Sequence, residues 1–151
     1  MKLLIIGGTR FLGRALVDEA ITAGHDITLF NRGQSNPGLY PNIEQIHGDR
    51  DGGLDALGGR QWDAAIDTCG YVPRIVRASA EFLSDAVDHY TFISSLSVYE
   101  QPLAVGLDET ETVGTVEDET TEEITGETYG PLKALCEQAV TEAMDGRALH
   151  A

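Results

Sequence analysis

Tyr129 and Lys133 stand four residues apart at the start of a stretch with helical periodicity, so they project from nearly the same face, one turn apart. A tyrosine hydroxyl, with a reference pKa of about 10, is a poor base at neutral pH, but a fixed ammonium nearby favours the phenolate. The pair is therefore a candidate general acid/base unit. Ser94 and Ser95 close an apolar stretch, His89 to Ile93, that reads as a strand, and a hydroxyl there could hold a substrate oxygen. At the other end of the chain, Gly7-Gly8-Thr9-Arg10-Phe11-Leu12-Gly13 joins the apolar run Leu3 to Ile6 to a helical pattern. Gly7 permits a sharp turn there, Gly13 lets the helix lie close to the strand, and the free N–H groups at the helix start suit a pyrophosphate.

These residues need a scaffold, and the intervening chain supplies a regular one. Leu12, Leu16, Val17, Ala20 and Ile21 predict the first helix, and Ile27 to Phe30 the second strand, which runs into Asn31-Arg32-Gly33. Ile43 to His47 predicts a third strand, closed by Gly48-Asp49-Arg50, and Leu54 and Leu57 a short helix. Asp63 to Asp67 reads as a fourth strand. Pro73 opens a helix with Ile75, Val76, Phe82, Leu83 and Ala86 on its buried side. Pro131, Leu132, Leu135, Cys136, Ala139, Val140, Ala143 and Met144 continue the helix of Tyr129 and Lys133, and Arg147 to Ala151 reads as the start of a sixth strand. Such alternation predicts an α/β fold, a doubly wound parallel sheet of the Rossmann type, as one domain over residues 1–151. In such a sheet ligands bind outside the carboxyl ends of the strands, where the candidate residues fall.

One stretch interrupts the alternation. Residues 101–127 hold nine of the 25 acidic residues with little apolar periodicity, which fits a substrate lid or a solvated, disordered insertion alike. The whole chain carries 25 acidic against 10 basic residues, a formal charge of −15, which disfavours capture of nucleic acid or of an anionic membrane. Only Lys2 and Lys133 are lysines; scarce lysine beside abundant Asp and Glu fits adaptation to high salt, and the acidic segment accounts for part of the excess. Cys69 and Cys136 lie far apart without metal-like spacing, so they read as buried thiols, and no metal site is expected. No window approaches a membrane span and no signal-peptide core precedes Gly7, so a cytoplasmic location is expected.

The set Gly7 to Gly13, Gly48-Asp49, Phe92 to Tyr99 and Tyr129-Gly-Pro-Leu-Lys133 resembles the extended or atypical short-chain dehydrogenase/reductases, the NAD-dependent epimerase/dehydratase family, along essentially the whole chain. The resemblance implies that Tyr129 is the catalytic acid/base, that Lys133 binds the nicotinamide ribose and lowers the tyrosine pKa, and that Ser95 hydrogen-bonds the reacting carbonyl or alcohol. It implies cofactor contacts from Gly7, Thr9, Arg10, Phe11, Leu12, Gly13, Asn31, Arg32, Asp49, Arg50, Cys69, Gly70, Tyr71 and Ser94. Arg10 stands where the family turn has its middle glycine, a form that resembles an atypical branch described as RNA-binding. Family members also continue into a substrate-binding domain, so this chain resembles their cofactor half. The second strand ends in Asn31-Arg32 instead of the acidic residue that holds a ribose 2′-hydroxyl, which favours NADP over NAD.

The leading expectation is hydride transfer at a carbinol or ketone, such as that of a nucleotide sugar. A non-catalytic NADP-binding sensor or scaffold stays open beside it, and an RNA-binding role is disfavoured by charge. A homodimer through the helices after the fourth and fifth strands is also implied by the resemblance.

Overall fold

The computed structural model describes residues 1–103 and 105–151. Six parallel strands form one sheet: β1 (Lys2–Ile6), β2 (Asp26–Asn31), β3 (Glu44–His47), β4 (Trp62–Asp67), β5 (Val87–Phe92) and β6 (Ala148–His150), in the spatial order β3-β2-β1-β4-β5-β6. The chain winds outward from β1 to β3, then returns past β1 to build β4, β5 and β6. The reversal lies between β1 and β4, where Leu3 pairs with Ala64 and Ile6 with Asp67. Loops leaving adjacent strands diverge at that point, and a crevice opens above the carboxyl ends.

The helices are α1 (Phe11–Thr22), α2 (Pro73–Leu83) and α3 (Tyr129–Met144). Side chains on a strand alternate between faces, and β1 divides the core accordingly. Leu3 and Ile5 join Ile27 and Leu29 under Val17 and Ala20 of α1. Leu4 and Ile6 face the other layer, with Phe30, Tyr90 and Phe92 of the sheet, Val76, Ala80 and Leu83 of α2, and Cys136, Val140 and Met144 of α3. Burial of each large apolar side chain contributes about 1.5–3 kcal/mol, so this double-sided core holds the strand ends in register.

Two helices bury only part of the apolar faces expected of them: Val17, Ala20, Val76 and Leu83 are inside. Gly13, Val17 and Ala20 are the buried positions of α1, while Leu12 and Ile21 are exposed. Val76, Ser79, Ala80 and Leu83 are buried on α2, while Phe82 faces out. Small residues occupy the inward positions because they permit close approach to the sheet and to α3. The acidic segment is tied at several points: Tyr99 pairs antiparallel with Val113, and Gly114 N–H donates to the Val98 carbonyl. Within it Asp108 and Asp118 form matching turns, each carboxylate accepting from the backbone N–H (2.9 Å) and hydroxyl (2.6 Å) of the threonine two residues on.

Candidate active site and nucleotide cleft

A cleft of about 650 Å³ opens at the carboxyl ends of the strands. Its floor is the turn from β1 to α1. Gly7 lies at φ +99°, donating its N–H to the Phe30 carbonyl, and Gly8 N–H reaches Thr68 Oγ1 at 3.4 Å. A Cβ on Gly13 would lie 2.9 Å from Gly8 Cα, so only glycine lets α1 start this close to the turn. The first turn of α1 then presents unpaired N–H groups and the positive end of the helix dipole to the cleft.

The cleft is lined by Gly7, Thr9, Arg10, Phe11, Leu12, Gly13, Asn31, Arg32, Asp49, Arg50, Cys69, Tyr71, Ser94, Tyr129 and Lys133, all expected from the sequence. Gly70 and Ser95, expected to touch the cofactor and the reacting oxygen, are not among its lining residues; Gly70 is buried and its carbonyl accepts from Lys133. Thr68, Gln34, Ser35, Ile75 and Ile124 also line it and were not expected; only proximity to loop ends in the sequence pointed to them. A second cleft of about 710 Å³ lies at the opposite end of the sheet, lined by Asp26, Asp63, Asp85 and Asp88 among others. Helices after parallel strands point their negative ends there, so that cleft disfavours an anion.

Lys133 is 2% exposed, and two backbone carbonyls hold its ammonium from below. Nζ donates to the carbonyl oxygens of Gly70 at 2.9 Å and Ile93 at 2.6 Å, and lies 3.9 Å from the centre of the Phe92 ring. Burial pushes its pKa below the usual lysine range. An ammonium has three donors, so one remains for the cleft that Lys133 lines. Tyr129 packs against Tyr71 with ring centres 6.3 Å apart, and among the described residues no hydrogen bond joins its hydroxyl to Lys133.

The two serines divide their roles. Ser95 Oγ accepts the Ser97 N–H at 3.1 Å and so caps the short helical turn Leu96–Val98. That turn rests on the first residues of α3, where a Cβ on Gly130 would collide with the Ser97 carbonyl oxygen. Ser94 Oγ is buried without a partner, and so is Asn31 Nδ2 at the end of β2, although Asn31 Oδ1 accepts the Gly33 N–H at 2.8 Å. These are two orphaned polar atoms on one cleft, at the ends of β5 and β2.

Arg50 lines the cleft, but its guanidinium is directed into the protein. It makes a bidentate pair with Asp67 at 2.9 and 2.7 Å and donates to Ser79 Oγ. Asp67 is fully buried and also accepts from Tyr90 Oη at 3.0 Å and Cys69 N–H at 3.1 Å. This network fixes the loop after β3 against β4 and α2, beneath the lining. Burial, reinforced by Asp67, pushes the Cys69 thiol up to about 11.

The doubly wound fold is shared with solved structures of epimerases. The chain matches a UDP-galactose 4-epimerase at a TM-score of 0.77 with 19% identity, covering 99% of this chain and 55% of that one. It matches the Bordetella bronchiseptica enzyme WbmG in complex with NAD at 0.80 and 18%, and the UDP-Glc/GlcNAc 4-epimerase of Campylobacter jejuni at 0.78 and 16%; each match covers 99% of this chain and 52% of the other. By sequence it is similar to the chloroplast stem-loop binding protein of 41 kDa b of Arabidopsis thaliana, 32% identical over 114 residues, which are 65% of this chain and 30% of that protein. No protein-family model matches the chain. The chain thus spans about half the length of the solved structures it matches and less of the curated relative. No helix among the described residues is long and apolar enough to cross a membrane.

Proposed function

We propose that the chain is the dinucleotide-binding part of an NADP-dependent oxidoreductase or epimerase/dehydratase, acting at a carbinol or ketone of a nucleotide sugar. The observation that carries this reading is one cleft at the reversal of strand order, floored by the glycine turn and the start of α1 and walled by Tyr129 and Lys133. A volume of about 650 Å³ is within the range of cofactor sites.

Bound there, a nicotinamide dinucleotide supplies the hydride chemistry. The chain's residues supply binding and proton management. The helix start of α1 and the N–H groups around Gly13 meet the pyrophosphate. Lys133 offers its third N–H to ribose hydroxyls, and Tyr129 gives or takes the proton at the substrate oxygen. Ser95 Oγ accepts from Ser97, which leaves its own proton to donate to that oxygen. NADP is favoured because β2 ends in an amide donor and Arg32, with Arg10 across the cleft, so no carboxylate at that strand end repels a 2′-phosphate. The nucleotide-sugar class is supported by the UDP-sugar epimerases that share the fold.

Titration with NADPH and with NADH, followed by nucleotide fluorescence beside an Arg32→Ala variant, tests the reading. NADPH should bind more tightly, and the preference should vanish in the variant. Binding of neither nucleotide would sink it.

A second reading, RNA binding, is favoured by the Arg10-bearing turn and by similarity to a stem-loop binding protein, and opposed by the charge of −15. A shift of an RNA hairpin by this chain at low salt, steeply lost as salt rises, would favour it; no shift would dismiss it.

A further inference from the structure

Arg74, in the first turn of α2, joins two stretches of chain that are far apart in sequence and meet at the rim of the cleft. Its Nη1 and Nη2 donate to the two Asp51 carboxylate oxygens at 2.8 and 3.1 Å. Its Nε and Nη2 donate to the two Glu122 oxygens at 2.7 and 3.3 Å. Asp51 follows Asp49 in the loop after β3, and Asp49 lines the cleft. Glu122 stands two residues before Ile124, which lines the cleft from the acidic segment. Among the described residues, Arg74 is the one hydrogen-bond partner outside the segment that any residue from Thr115 to Thr125 has, the Thr128 and Tyr129 contacts at the start of α3 aside.

We propose that Arg74 is a positioning residue for the nucleotide cleft: by gripping Glu122 it holds Ile124 and the acidic segment at the cleft mouth and slows release of a bound dinucleotide. The proposal rests on the dinucleotide reading above. The Arg74, Asp51 and Glu122 side chains are 56%, 49% and 46% exposed, so the clasp is held by bidentate geometry in water and can open without breaking the core. That is the property a retaining element needs, because a nucleotide must enter and leave. The Arg74 hydrogen bonds hold both carboxyls below their usual range, in keeping with a formed clasp.

Stopped-flow displacement of NADPH and of NADH from the wild-type chain, Arg74→Ala, Glu122→Ala and the double variant tests it. Release should quicken roughly two- to fivefold in either single variant, the range of an exposed ion-pair network. The double variant should release no faster than Arg74→Ala, and Arg74→Lys should recover part of the retention. NADPH and NADH should respond alike, since the clasp stands apart from Arg32. Amide exchange over residues 121–125 should also speed up in Arg74→Ala without nucleotide present. Unchanged release, additive single effects or unchanged exchange would each overturn the proposal while leaving a nucleotide-binding wild type intact. A wild type that binds neither nucleotide would overturn the dinucleotide reading, and this proposal with it.

Discussion

The carbonyl oxygen of Gly70 accepts a 2.9 Å hydrogen bond from Lys133 Nζ, tying the loop after β4 to the first turns of α3. The same ammonium holds the Ile93 carbonyl at the end of β5, so one buried cation sets the spacing of three elements around the cleft.

Lys133→Met should therefore destabilise the chain even without any ligand. Methionine fills the volume of the lysine stem but leaves two carbonyls unpaired, at a cost of about 1–3 kcal/mol. Urea denaturation measures it, and a loss below about 0.5 kcal/mol, the range of neutral surface changes, would show that water replaces the ammonium without cost.

Gly130→Ala should cost a similar amount by a different route. The added methyl meets the backbone of Ser97 and not a flexible side chain, so the capped turn of Ser95 must move off α3. We expect about 1–3 kcal/mol of destabilisation, as for overpacking, while Gly126→Ala, with open space around it, should stay within about 0.5 kcal/mol. Equal stability for both variants would refute the close contact.

The glycine turn, the alternation of strands and helices and the Tyr129 to Lys133 spacing were legible because each is a local pattern with a fixed period. The Arg50–Asp67–Tyr90 network was not, since its members come from three separate elements and Asp67 reads in sequence as the last polar residue of a strand. Part of the buried face of α1 and α2 was also hidden: apolar periodicity registers large side chains such as Leu12 and Phe82, which are exposed, and passes over Ser79 and Ala80, which are buried. Ser94 and Ser95 are neighbours past the end of β5, and only Ser94 lines the cleft while Ser95 caps the turn Leu96–Val98.

Stability should fall in alkali because of the two thiols. Burial pushes Cys136 from 9.0 up to about 12, and burial with Asp67 pushes Cys69 from 9.0 up to about 11. Above about pH 9 the unfolded chain releases thiol protons that the folded chain keeps, so folding stability is full below that pH and declines as pH rises toward 11 to 12. The slope is about 1.4 kcal/mol per pH unit for each thiol. Tyr71 and Tyr90, both raised mainly by burial, add to it above their usual range. Denaturation midpoints from pH 8 upward should therefore drop less steeply in Cys136→Ala than in the wild type; parallel slopes would rule the thiol out.

Arg50 and Asp67 should be costly to separate and cheap to remove together. Asp67 is fully buried and the Arg50 side chain is 12% exposed, so Arg50→Met leaves a carboxylate in the core with only Tyr90 and the Cys69 N–H as donors. Breaking such a pair from one side costs about 3–5 kcal/mol, because the remaining charge has lost both its partner and its water. Replacing both, as in Arg50→Met with Asp67→Leu, should recover much of that loss, since two apolar groups of similar volume need neither. Urea denaturation of the single and double variants decides the matter. If Arg50→Met alone stays within about 1 kcal/mol of wild type, water must reach Asp67 and the loop after β3 is not anchored through it; if the double variant is the least stable of all, the Tyr90 and Cys69 N–H bonds to Asp67 outweigh the cost of its unpaired charge.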